Sequence, residues 1–199
     1  FRNGESGLHV LHIRTITEVL LRQLSSVCGQ YDLTPARIAL ITNASSLHDI
    51  GKISISEDIL NKPGKLDKEE FEIIKTHSAE GAQMLEGLTY YQDEELVQVA
   101  REICRWHHER YDGCGYPDGL KGEEIPVSAQ VVAMADVYDA LTTRRVYKPA
   151  YPHKRAMEMI LNGECGAFNP LLLECLKEVG DYLESEVKIR SAGKISNDS

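Results

Sequence analysis

Basic residues are scarce in this sequence: 22 Lys and Arg stand against 31 Asp and Glu, a formal net charge of −9. Polymeric phosphate would be repelled over most of such a surface. General nucleic-acid binding is therefore excluded, and only a local basic patch could hold a small phosphorylated ligand. No apolar run approaches the length of a membrane span, and Phe1-Arg2-Asn3-Gly4-Glu5 has no signal-peptide profile. An initiator Met is also missing, so a segment cut from a longer protein is expected. Cys28, Cys104, Cys114, Cys165 and Cys175 are odd in number and form no C-x-x-C pair. That spacing removes a disulfide framework and thiolate metal sites, and it fits a reducing cytoplasm. Internal repeats, low-complexity tracts and alternating strand patterns are absent too.

What is present is helical periodicity. With 199 residues, 42% of them hydrophobic, the chain can bury one proper core. Leu8, Leu11, Val19, Leu20, Leu24 and Val27 repeat at helical spacing, and Gly29 is a plausible stop. Thr34-Pro35 reads as cap and first residue of a helix carrying Ile38, Ile41, Ser45 and His48 down one side. Ser56-Glu57-Asp58 caps a short helix ending near Leu60. Asp67 and Glu70 form a capping box, opening a helix whose buried stripe is Phe71, Ile74, His77, Gly81 and Leu85. Further helices are expected over about 93–108, from Pro126 through Leu141, over 153–161 and over 170–182. The reading is all-α: one compact helical bundle over residues 1–190, followed by a polar, mobile tail over 191–199.

Several of these helices or helix ends place an imidazole or carboxylate where an apolar residue is expected. Burying an unpaired charge costs several kcal/mol, so such groups need partners, and a metal ion is an economical common one. The candidate ligands are Glu5, His9, His48, Asp49, His77, His107, His108 and Asp136. Glu5, His9 and His12 share one helix face. Neighbours on a helix point about 100° apart, so His107 and His108 are expected to serve two different ions about 3.5 to 4 Å apart. The same reasoning applies to His48-Asp49. Imidazole and carboxylate without thiolate favour iron, manganese or zinc over copper(I) or calcium, and ligand softness does not choose among those three. Arg144, Arg145, Lys148, Lys154 and Arg155 crowd the segment after the Asp136 helix, where Arg can fork onto phosphate oxygens, and Lys52 follows His48 by one turn.

These residues sit in Leu47-His-Asp-Ile-Gly-Lys52, Lys62-Pro-Gly-Lys-Leu66, Lys75-Thr-His-Ser-Ala-Glu-Gly81, His107-His-Glu-Arg-Tyr-Asp-Gly-Cys-Gly-Tyr-Pro117 and Ala135-Asp-Val-Tyr-Asp-Ala-Leu-Thr142. In that order they make the chain, from about Glu5 to Leu176, resemble the HD-GYP domain. This is the metal-dependent phosphodiesterase branch of the HD superfamily that degrades bacterial cyclic di-GMP.

The resemblance implies a two-ion centre of iron or manganese held by His9, His48, Asp49, His77, His107, His108 and Asp136, with Asp49 bridging. Glu5 would go to a third ion, Lys52 would stabilise phosphate charge, and Tyr116, Arg145 and Lys148 would contact substrate. It further implies cyclic di-GMP hydrolysis to linear pGpG, with Glu5 leaving onward cleavage to GMP open, in the cytoplasm, under an upstream sensory or receiver domain. The alternatives are an HD phosphohydrolase for another cyclic dinucleotide or nucleotide and a non-catalytic nucleotide-binding signalling domain. Two departures stand out. The interval from His9 to His48 is longer than the family's commoner one and leaves His12 as a rival first ligand. Asn169 replaces the Asp of a Phe-Asp-Pro motif, where the expected effect is on the cap of the last helix.

Overall fold

The computed structural model describes residues 5–144 and 149–195, without side chains for 5, 6 and 191–195. Among these residues the architecture is all-α, with eight helices, short 3-10 turns and one isolated bridge between Asp112 and Lys121. None of these helices is long and apolar enough to cross a membrane.

Helix α1 (Glu5–Val27) is the spine. Ile13, Ile16, Leu20 and Leu24 are fully buried on it, and α2, α6 and α8 pack around it. Each such side chain contributes about 2 kcal/mol of burial. Helix α2 (Pro35–Ala44) starts as expected, with the Thr34 side chain accepting from the Arg37 amide. It ends sooner than its pattern suggests. Beyond Ala44 the chain tightens into 3-10 turns at Ser45–Leu47 and Ile50–Ser54, so His48 and Asp49 lie on a compact corner rather than a helix end.

Ser56 caps the single-turn helix α3 (Glu57–Leu60). The Asp67–Glu70 capping box then opens α4 (Lys68–Glu86). Its buried face begins only at His77. Phe71, expected in the buried stripe, is 49% exposed, because the first turns of α4 extend past the elements that cover it. Where α4 meets the 50–54 turn the two backbones nearly touch. A Cβ on Gly51 would lie 1.9 Å from the His77 carbonyl oxygen.

Helix α5 (Glu95–Trp106) packs on α4, and α6 (Val127–Thr142) is the central helix. Val131, Val132, Met134, Ala135 and Tyr138 leave α6 little exposed surface. Helix α7 (His153–Leu161) and α8 (Pro170–Ile195) close the bundle. Helix α8 runs past the expected end at Tyr182 and through the start of the supposed tail at Ser191. Leu183 is buried and Val187 half-buried, which carries the apolar stripe onward, while Lys188–Glu184 and Arg190–Glu186 pair one turn apart on its surface.

Candidate metal centre

Four helices and the 48–49 corner converge on one point. His9 comes from α1, His77 from α4, His107 and His108 from the end of α5, and Asp136 from α6. Among the described residues, Asp49, His77, His107 and His108 form one group whose ligand atoms lie within 4.8 Å of one another, and His9, His48 and Asp136 form a second. Asp49 faces both groups. Its Oδ1 is 3.4 Å from His77 Nε2 and its Oδ2 is 3.3 Å from His48 Nε2.

The fit to cations is tested by where the imidazole protons go. His48 Nδ1 donates to the Ser45 carbonyl at 2.9 Å, His77 Nδ1 to that of Ile74 at 2.6 Å and His107 Nδ1 to that of Ile103 at 2.9 Å. His9 Nδ1 donates to Asp139 Oδ2 at 2.6 Å. In neutral rings, all four Nε2 atoms are then bare lone pairs. Yet His9 and His48 bring theirs to 3.3 Å, and His77 and His107 to 3.4 Å. Lone pairs facing each other at that distance repel unless a cation lies among them, and a hydrogen-bonded Nδ1 behind a ligating Nε2 is the usual arrangement in metal sites. The residues therefore fit divalent ions, with imidazole and carboxylate donors and no thiolate.

Electrostatics favour neutral imidazole at His77, His107 and His108 and an ionised carboxylate at Asp49. Burial pushes His107 down to about 3, with the charge of neighbouring His48 adding to the effect. Burial lowers His77 and His108 as well. Burial opposes charge on Asp49, but His48 and Lys52 outweigh it and hold the carboxyl well below the ordinary range. His48 moves the other way: burial works against its charge, and the adjacent Asp49 carboxylate more than offsets that. The three imidazoles that burial holds neutral need no deprotonation before binding.

The structure does not divide His107 and His108 between the two groups, as their adjacency led one to expect. Both fall in the Asp49 and His77 group, with ring centroids 4.0 Å apart. The helical 100° rule fails because α5 ends at Trp106, so His107 is its C-cap and His108 already lies in the turn beyond. His48 and Asp49 do divide between the groups. His9, rather than His12, is brought into the centre. His12 instead donates through Nδ1 to Asp139 Oδ1 at 2.5 Å.

Lys52 Nζ lies 2.5 Å from Asp49 Oδ2, and the Tyr116 ring stacks on His108 with centroids 4.8 Å apart. Arg155 pairs with Glu164 at 2.9 Å and with Glu158 at 3.8 Å. Lys154 is exposed. Arg145 and Lys148 lie outside the described residues, as does the side chain of Glu5. Asn169 acts as expected at the last helix, its Oδ1 accepting from the Leu171 amide at 2.9 Å.

Sequence reasoning missed two supports of the centre. Asp139, almost fully buried, accepts from His9, His12 and Thr143. Burial opposes its charge, but the bonds from His12, His9 and Thr143 win and lower its pKa. Its signal was its place one turn after Asp136 on a buried helix. Glu109, 2% exposed, accepts from the Asp118 and Gly119 amides through Oε1, which ties down the far limb of the glycine-rich loop and leaves Oε2 without a partner. Within that loop the Tyr116–Pro117 peptide is cis.

Comparison with known proteins follows the same lines. The model of the HD domain family matches residues 9–167. A cyclic di-GMP phosphodiesterase of Vibrio cholerae serotype O1 is 41% identical over 89% of this chain and 37% of its own length. A 3'3'-cGAMP-specific phosphodiesterase 2 of the same organism is 38% identical over 90% of this chain and 32% of its own. The cyclic di-GMP phosphodiesterase response regulator RpfG of Xanthomonas campestris pv. campestris is 40% identical over 80% and 42%. This chain thus spans well under half the length of these relatives. A crystal structure of a cyclic GMP-AMP specific phosphodiesterase from V. cholerae superposes with a TM-score of 0.60 over 90% of this chain and 46% of that one; at 17% identity it speaks for the fold alone. With the histidine and aspartate clusters and the helical architecture in agreement with that family model, the chain belongs to the HD domain family.

Proposed function

We propose that this chain is a metal-dependent phosphodiesterase that hydrolyses cyclic di-GMP to linear pGpG and then to GMP. The observation that carries the reading is the convergence of four Nε2 lone pairs and two carboxylates on adjoining cation positions, lodged among motifs of the HD-GYP type. The relatives named for cyclic di-GMP phosphodiesterase activity support the substrate. His77, His107, His108 and Asp49 would hold one ion, and His9, His48 and Asp136 the other, with Asp49 shared. Glu5 would serve a third. Iron or manganese suits the all-nitrogen-and-oxygen donor set. When bound, such ions supply Lewis acidity to the phosphate oxygens and to the attacking water.

The chain's own residues do the rest. Asp49 keeps the Lys52 ammonium at the mouth of the centre, where its charge is available to the negative phosphoryl oxygens as the 3′ oxygen leaves. Tyr116, pinned face to face on His108, forms a rigid wall for a bulky dinucleotide, and Arg145 and Lys148 would hold its phosphates. The setting is the bacterial cytoplasm, under a sensory or receiver domain; one relative's name as a response regulator favours the latter.

The test is chromatography of products from purified, metal-loaded protein. Wild type yields pGpG and GMP from cyclic di-GMP, Asp49→Ala yields neither, and equal activity of the two sinks the assignment. A second reading, hydrolysis of 3'3'-cGAMP, is favoured by the relatives named for that specificity. Relative kcat/KM on the two cyclic dinucleotides decides between them.

A further inference from the structure

Arg110 stands two residues beyond His108 and has none of the roles above. Its stem crosses the backbone at Gly166, where φ is +98° and a Cβ would sit 2.8 Å from Arg110 Cδ and Nε. Its guanidinium carbon lies 5.5 Å from the centroid of the Phe168 ring. Glycine and ring together make a slot that fixes the side chain. The head group is nonetheless badly satisfied. Among the described residues its hydrogen bond is a long one, Nη1 to the carbonyl of neighbouring Glu109 at 3.4 Å, and no carboxylate forms an ion pair with it.

A guanidinium has five N–H donors, and a half-buried cation is costly when they are idle. It leaves the chain two residues after the ligand His108, whose carbonyl accepts from the Tyr116 amide at 3.3 Å, so its backbone borders the centre. After the burial that disfavours its charge, Asp136 is the foremost stabilising influence, and Arg110 in turn disfavours charge on His108. One of these two residues belongs to each ligand group.

We propose that Arg110 is a substrate-binding residue that forks two N–H groups onto the non-bridging oxygens of the phosphodiester lying over the two ligand groups. The proposal rests on the phosphodiesterase reading. It also gives the Gly166-Ala-Phe168 segment a purpose: to hold a cation ready without lending it a carboxylate that substrate would have to displace.

The experiment uses the manganese-loaded chain and three variants, Arg110→Met, Arg110→Lys and Arg110→Ala. Met preserves the apolar stem over Gly166 and Phe168, which guards against misfolding. Manganese content is read by elemental analysis, affinity for inorganic phosphate by titration calorimetry, and KM and kcat on cyclic di-GMP. The expected result is full manganese content in Arg110→Met with phosphate bound about 10- to 100-fold more weakly, the worth of lost charge-assisted hydrogen bonds. KM rises by a similar factor while kcat falls less, and Arg110→Lys recovers only part, since an ammonium cannot fork. Unchanged phosphate affinity in Arg110→Met overturns the proposal. So does loss of manganese, which would make Arg110 a positioning residue for Asp136. If wild type cleaves no cyclic dinucleotide, the functional reading fails while the phosphate titration still decides the role of Arg110.

Discussion

Replacing Gly51 by alanine probes the joint on which the centre depends. The new methyl would stand 1.9 Å from the His77 carbonyl oxygen, 2.5 Å from the Gly81 nitrogen and 2.9 Å from the Gly81 Cα. All three are backbone atoms, so no side chain can swing aside. Ordinary contact starts near 3.4 Å, so α4 and the 50–54 turn must part by about 1.5 Å. Overpacking of this kind costs about 3 kcal/mol, and for a chain of this size each kcal/mol lowers Tm by about 2–4 °C. The expected loss is about 6–12 °C in a thermal melt. The same opening pulls His77, on α4, away from Asp49, whereas ligand distances tolerate only about 0.2 Å. Elemental analysis should therefore show Gly51→Ala depleted of metal even when folded at low temperature. Gly29→Ala is the control: nothing lies within 4 Å of its added Cβ, and its stability should stay within about 0.5 kcal/mol of wild type. A Gly51→Ala protein that melts with wild type and retains its metal would refute the close-approach argument.

Chelation of wild type should lower Tm by about 5–10 °C, the linkage expected for an ion present at about 100 times its Kd, and calorimetry with and without chelator measures it. Asp139→Asn sets an amide against the Nδ1–H donors of His9 and His12; metal affinity should fall about 10- to 100-fold in a competitive chelator titration. The Asp139 carboxyl is lowered from its ordinary value of 3.8, so in the metal-free protein its contribution is present above that pH and lost as pH falls below it. Acid melts of metal-free Asp139→Asn should accordingly show less stability at neutral pH and a shallower decline on the acid side. Asn169→Asp installs the residue that the HD-GYP resemblance leads one to expect, but here the Asn169 amide donates to Glu123 and Gln130. A carboxylate in that place should cost about 2 kcal/mol at neutral pH, and because its folded pKa would be raised, denaturant melts should show recovery as pH falls through that value.

Much of the fold was legible because helix signals are local. The Thr34-Pro35 start, the Ser56 cap and the Asp67–Glu70 box all depend on residues within one turn, and each is present as read. What depends on distant neighbours was not legible. Phe71 stands within about 40° of buried Leu85 on the α4 helical wheel yet is exposed, since periodicity says which face is apolar and not how far its cover extends. Helix α8 outran its expected end because its later apolar positions, Leu183 and Val187, are sparse and its pairing is by charge. The candidate site was visible as misplaced imidazoles and carboxylates. The choice of His9 over His12 was not, because Asp139, far away in sequence, takes the proton-bearing side of both rings. The geometry of His107 and His108 was misjudged for a smaller reason: the helix that orders them stops one residue too soon.

The ligand atoms come from α1, the 48–49 corner, α4, the end of α5 and α6, so no short fragment of the chain contains a usable cation position. A partly unfolded molecule that releases any one of these elements releases a ligand with it. Ion binding is therefore thermodynamically a property of the whole fold, acting as a rivet through every layer rather than as a clasp on one loop. In native-state hydrogen exchange, loading the ions should slow the slowest amides of α1 and α6 together, and leave unchanged the exchange of α8 amides beyond Val187, which carry none of the ligands.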